Sequence, residues 1–169
     1  EVAGTGIDTR QITGIVTDAV NSTVLSDVEI RVLDLHGSVL KPRLTDEFGR
    51  YRRLLSIGEH TLEFIKEGYE KHVMSGIIVS SGQSIDLNIN LIPIEKYNIT
   101  FVCESLGFDG ALVELIDQEG YETSFNIFNA PIDISLYSQD YLLTASGISI
   151  TPYMLNLSIT SNDTVYLEL

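Results

Sequence analysis

The 169-residue sequence contains no Trp, one Cys and four Pro. Without Trp, and with Tyr and Phe falling mostly at inward positions of alternating segments, it offers no evident stacking platform for a glycan. The lone Cys103 excludes an internal disulfide; on the apolar face of YNITFVC it reads as a buried small hydrophobe. No apolar run approaches the ~18 residues of a membrane-spanning helix, the longest being pieces such as GIIV at 76–79. Basic residues are scarce and then missing. All ten Lys and Arg lie in residues 1–96, against 14 acids, a net of −4; residues 97–169 hold ten acids and no Lys or Arg, a net of −10. A total of −14 repels phosphate backbones and anionic bilayers, so nucleic acid and membrane insertion are excluded as partners. The absence of Lys from 97–169 also excludes an internal Lys–Asn isopeptide bond there.

What is present is enough apolar material to fold. Hydrophobic residues make up 44% of the chain and mean hydropathy is +0.16, which separates it from acidic disordered chains. The break in charge falls beside Pro93 in LIPIEK and marks a domain boundary. The sequence opens on Glu1, as a processed mature protein or an excised piece would. Four Asn-x-Ser/Thr sequons stand at Asn21, Asn98, Asn156 and Asn162, where chance from composition gives roughly one or two. Alternation turns Asn98 and Asn156 away from the apolar faces of their strands, and Asn21 and Asn162 sit in turn-like NST and SNDT. All four are candidate glycosylation sites.

Period-2 alternation dominates throughout. Between turn signals the first half yields seven strands: 11–17, 27–35, 38–44, 49–56, 59–66, 70–80 and 83–91. Seven short strands in about 80 residues point to two packed sheets, because a half-buried sheet needs a second to cover its apolar face. The second half repeats the order. IIVSSGQSIDLNI aligns with LSITSNDTVYLEL at an offset of 80, placing Ile77 on Leu157, Ile85 on Val165 and Leu87 on Leu167; IRVLDLHG aligns with VELIDQEG at 83, and ITGIVTD with ITFVCES at 87.

The first copy resembles the transthyretin-like, carboxypeptidase regulatory-like domain. The residues that carry the resemblance are Gly14, Val16 and Asp18 in the opening strand, and Thr45, Asp46, Gly49 and Tyr51 in a TDxxGxY turn. Gly58, His60, Leu62, Gly68 and Tyr69 follow in a hairpin, and Val79, Gly82 and Gln83 in the closing strand. The resemblance implies packing or adhesive use, with catalysis elsewhere. The expected architecture is all-β: an N-terminal extension (1–10) and two tandem seven-stranded transthyretin-like Greek-key β-sandwiches, 11–92 and, more divergent, 97–169.

Catalytic signals are thin. His60 and Glu63 have the HxxE spacing of zinc ligands, but on a strand residues three apart face opposite ways. His36 reads as an exposed turn residue and His72 as a strand-face residue. There is neither a GxSxG elbow nor a phosphate-binding Gly-rich loop, and Asp46/Glu47 and Asp117/Glu119 read as solvated turn acids. No cofactor, metal or catalytic residue is assigned.

The polar feature that stands out is basic. Arg43, Arg50, Arg52 and Arg53 crowd one turn and the strand after it, either to discourage edge pairing or to dock onto an acidic partner. These four are the candidate interface residues, facing a second half without basic residues. The expected role is a non-enzymatic, secreted or cell-surface structural protein, a filament subunit assembling head to tail, partnered by itself or by another surface protein. Accessory domains of a secreted zinc carboxypeptidase, and a glycan- or protein-binding module, are the competing readings.

Overall fold

The computed structural model describes residues 9–34, 42–82, 84–103, 109–148 and 151–169. All regular structure among them is β-strand, and the chain divides into two compact units, Glu1–Pro93 and Ile94–Leu169. Residues 1–8 of the N-terminal extension, positions 38–41 of the third expected strand, His36 and Gln83 lie outside the described residues.

The first unit contains β1 (Thr9–Asp18), β2 (Glu29–Val32), β3 (Arg43–Leu44), β4 (Arg50–Ser56), β5 (Gly58–Ile65), β6 (His72–Val79), β7 (Ile85–Asp86) and β8 (Ile89–Leu91). One sheet runs β4-β1-β7, with β8 also on β1; the other runs β3-β2-β5-β6. Each strand is amphipathic because alternate side chains leave opposite faces, and burial of the apolar set is what holds the sheets together. Ile12, Val16, Ile30, Leu55, Leu62, Phe64 and Leu91 are solvent-free or nearly so, and Tyr51 meets Phe64 edge-on at 5.5 Å. Tyr51, Leu55, Leu62 and Phe64 thus occupy the inward positions that alternation gives them.

The last expected strand of this unit is interrupted between Asp86 and Ile89. Both fragments keep one parallel register on β1, Ile12 level with Ile85 and Val16 with Ile89. Between them the Leu87 amide still donates to the Thr13 carbonyl at 2.7 Å, and two side chains supply the remaining bonds. The Tyr51 hydroxyl donates to the Leu87 carbonyl at 2.7 Å, and the Ile15 amide donates to Asn88 Oδ1 at 2.8 Å.

The second unit contains β9 (Lys96–Val102), β10 (Ala111–Asp117), β11 (Glu122–Ile127), β12 (Ile132–Tyr137), β13 (Asp140–Ser146), β14 (Tyr153–Ser158) and β15 (Asp163–Tyr166). Its sheets run β12-β9-β15 and β11-β10-β13-β14. Strand for strand this is the order of the first unit, including one parallel pair, β15 on β9, among antiparallel ones. Ile99, Phe101, Val113, Leu115, Ile127 and Leu143 fill the core, with Cys103 buried among them.

Pairing corrects the sequence alignment in one place. With Val16 matched to Cys103 by the offset of 87, the level partner of Val16 is Ile89, while Val165 is level with Phe101 and Tyr166 with Val102. Leu167 therefore answers to Ile89 rather than Leu87, a slip of two residues that leaves every side chain on its original face. A second correction concerns Lys96, which belongs to the second unit as the first residue of β9, its Nζ 4.1 Å from the centre of the Tyr137 ring. That unit has one Lys after all.

Candidate interaction surfaces

The Arg cluster is built by the TDEFG turn and the alternation of β4. Thr45 Oγ1 donates to the Leu25 carbonyl at 2.6 Å and accepts from the Val28 amide at 3.0 Å, which anchors the turn to the preceding loop. Asp46 Oδ1 accepts from the amides of Phe48 and Arg50, both at 2.9 Å. Gly49 closes the turn at φ +70°, where a Cβ would also come within 2.6 Å of the Val16 carbonyl oxygen. The turn then presents Arg50, whose Nε pairs with Asp46 Oδ2 at 3.0 Å and whose guanidinium lies 4.6 Å from the Phe48 ring centre.

Beyond Arg50 the cluster splits. β4 exposes Arg50, Arg52 and Leu54 and buries Tyr51, Arg53 and Leu55. Arg53 is 4% exposed, so it is not part of a surface patch. It occupies an inward position, and burial first, then the charge of Arg43, lowers its affinity for the proton. The exposed basic surface consists of Arg50 and Arg52 on β4, with Arg43 exposed on the two-residue β3.

Three carboxylates tie loops of the first unit to its strands. The Asn21 and Val20 amides, against the cost of burial and with help from the Tyr69 hydroxyl, hold Asp18 below its ordinary 3.8. The Arg50 amide does the same for Asp46, with burial opposing and the Phe48 amide and Arg50 guanidinium assisting. Burial pushes Asp34 up, but the Thr61 amide and the His60 ring together outweigh it. Because all three are lowered in the folded state, their stabilisation is complete above the unfolded value of 3.8, begins to be lost as the pH falls below it, and is gone once the pH has fallen through the lowered folded values. The expected result is a thermal midpoint for the first unit that drops steeply on acidification below 3.8, and a shallower drop in the double variant Asp18→Asn, Asp46→Asn. Differential scanning calorimetry across that range checks both.

His60 is a clamp between loop and strand. Its Nδ1 lies 2.7 Å from Asp34 Oδ2 and its Nε2 2.9 Å from the Ser56 carbonyl oxygen, while Asp34 Oδ1 accepts from the Thr61 amide. Glu63 leaves the other face of β5 and pairs with Arg31 at 3.7 Å. His72 is partly buried, with its ring 6.3 Å from Phe64. At the place of His60 in the second unit stands Tyr141. Its hydroxyl accepts from Gln139 Nε2 at 3.1 Å, and Gln139 also donates to Asp117, which stands where the first unit has Asp34.

All four sequon asparagines are exposed. Asn21 Oδ1 accepts from both the amide and the hydroxyl of Thr23, its own sequon threonine, at 2.9 and 2.7 Å. Asn98 and Asn162 share the outer surface of the sheet β12-β9-β15, joined by the Asn98 amide donating to Asn162 Oδ1 at 2.9 Å. They rim an open polar depression of about 670 Å³ with Thr100, Asp133, Ser135 and Thr164. Asn156 is on β14, directly across from Leu142. Spacing placed these residues outward; nothing local in the sequence signals that Asn98 and Asn162 are neighbours.

No curated protein matches the sequence. Among solved structures the chain is similar to a streptococcal ancillary pilin, at 13% identity over 91% of this chain and 62% of that one, with a TM-score of 0.55. It is also similar to GBS52, the minor pilin of Streptococcus agalactiae, at 11% identity over 94% of each chain and a TM-score of 0.54. The Bacillus anthracis TIE protein aligns over 94% of this chain at 14% identity and a TM-score of 0.43. The chain spans 33% of the TIE protein and 62% of the ancillary pilin. At these identities the likeness is one of fold, the β-sandwich. The family model of the carboxypeptidase regulatory-like domain matches residues 11–92. That match lies within the first compact unit, Glu1–Pro93.

Proposed function

We propose that this chain is a non-catalytic subunit of a secreted or cell-surface filament, built from two diverged copies of one sandwich and assembling head to tail. The observation that carries the reading is the inequality of two units with the same strand order. One is near charge balance and exposes Arg50 and Arg52; the other is acidic, with Lys96 its one basic residue. Unlike surfaces on one chain favour a heterologous contact, and a heterologous contact whose rotation does not close gives an open fibre. The fold likeness to two pilins agrees with it. Glycosylation at Asn21, Asn98, Asn156 and Asn162 belongs to the same proposal, since an exposed side chain on an extracellular chain is accessible to modification. Negative-stain electron microscopy of the purified chain is expected to show filaments at low salt that shorten as salt is raised. A monodisperse monomer at every concentration would sink the idea.

The match over residues 11–92 favours one second reading, an accessory role beside the catalytic domain of a secreted zinc carboxypeptidase. A precursor in which a zinc-ligating HxxE domain precedes this chain, together with a monomeric purified chain, would select it.

A further inference from the structure

A sheet edge offers unpaired amides and carbonyls, and natural edges are protected by being short, bulged or charged. Most edges here are. β3 and β7 have two residues each, and β6 is kinked by a register shift opposite His60/Leu62, with Gly76 at φ +72°. β11, β12 and β15 carry Glu122, Asp133 and Asp163. β14 differs. It pairs with β13 without a break from Tyr153 to Ser158, and residues 141–162 hold no Asp, Glu, Lys or Arg. Among the described residues the other long regular edge is β4, paired with β1 without a break from Arg50 to Ser56 and carrying cations; the Arg50 amide and carbonyl are already bonded to Asp46, so its open edge begins at Arg52.

The geometry points to β-strand addition between copies, β4 of one subunit running antiparallel to β14 of the next. This identifies the contact surfaces of the head-to-tail assembly and rests on that reading. With Arg52 opposite Asn156 the outward side chains align, and Leu54 faces Met154. Leu54 and Met154 are 53% and 69% exposed, large apolar side chains that such a contact would cover. Arg50 lies on the same face of β4, toward the Ser158 end of β14 and two strands from Asp140, which β13 holds across from Ser158. Charge decides against β14 meeting its own copy, because that would bring together two units of net −10, whereas β4 brings two guanidinium groups to the acidic one.

Sedimentation velocity of the full chain at low and high salt tests the contact with four variants, each first checked for an unchanged unfolding midpoint. Arg52→Glu, and separately Asn156→Arg, are each expected to weaken self-association about tenfold, the first by setting an acid against the acidic unit and the second by setting a cation against Arg52. The double variant Arg52→Glu, Asn156→Arg is expected to restore it by exchanging the partners. If Arg52→Glu perturbs the first unit, Met154→Lys reads the same contact from the other side, placing a cation opposite Leu54 and diagonal to Arg52 and weakening association. Assembly that is indifferent to all four variants would overturn the edge contact and leave the filament reading standing. A wild-type chain that stays monomeric would overturn both.

Discussion

Gly14→Ala is expected to destabilise the first unit by about 3 kcal/mol or more, the upper end for overpacking a core, because the obstruction is backbone. A Cβ at Gly14 would sit 1.9 Å from the Leu87 carbonyl oxygen, 2.6 Å from its carbon and 3.0 Å from Tyr51 Cε1. A side chain could rotate away; this carbonyl is held from two directions. The Leu87 amide donates to the Thr13 carbonyl at 2.7 Å, and the Leu87 oxygen accepts from the buried Tyr51 hydroxyl. Moving it to admit a methyl group breaks one or both bonds in the interior, where an unsatisfied polar group costs about 1–3 kcal/mol. Burial raises the Tyr51 pKa well above its usual value, with the charge of Asp86 adding to it, so the hydroxyl remains a donor at any ordinary pH. The chain lacks Trp, so the check is hydrogen exchange by mass spectrometry, which reads the two units separately. Protection should fall across β1, β4 and β7 and remain at its wild-type level in β9–β15. Unchanged protection in β1 would show that Leu87 is not fixed.

The same residues show which structural facts the sequence carries and which it does not. Alternation alone puts Tyr51, Leu55, Leu62 and Phe64 inside, and it also puts Arg53 inside, since Arg53 shares their parity. Grouping Arg53 with its neighbours as one basic patch follows composition where period should have decided. The slip of two between Leu87 and Ile89 as partners of Leu167 has the opposite character. Period-2 patterns are unchanged by a shift of two, so only the hydrogen-bonded register reveals it. The break between β7 and β8 depends on a hydroxyl 36 residues away, and the His60 clamp on an acid 26 residues away. Neither leaves a local trace. Asp46 could be read directly, because an Asp that bonds amides two and four residues on is local turn chemistry.

Where the first unit has Gly14 the second has Phe101, and Phe101→Ala is expected to cost the second unit about 3–5 kcal/mol. The two sandwiches fill the same place from different strands. In the first, Gly14 on β1 lies opposite Tyr51 on β4, and the aromatic ring comes from the edge strand. In the second, Phe101 on β9 lies opposite Ile132 on β12, and the ring comes from the central strand. Phe101 is solvent-free, its ring centre 5.0 Å from that of Phe125, with Val165 of β15 level with it on the other side. Flanked by strands on both sides, the position has little room to collapse, so truncation leaves a cavity that neighbours fill poorly. A unit spanning residues 94–169 has a total stability of roughly 4–11 kcal/mol, and the loss is a large share of it. Exchange protection in β9, β10, β12 and β13 should collapse while β1 and β4 keep theirs. Phe101→Leu, which restores most of the volume, should recover more than half of the loss. Protection in the Ala variant matching wild type would mean that the second core is not organised around this ring.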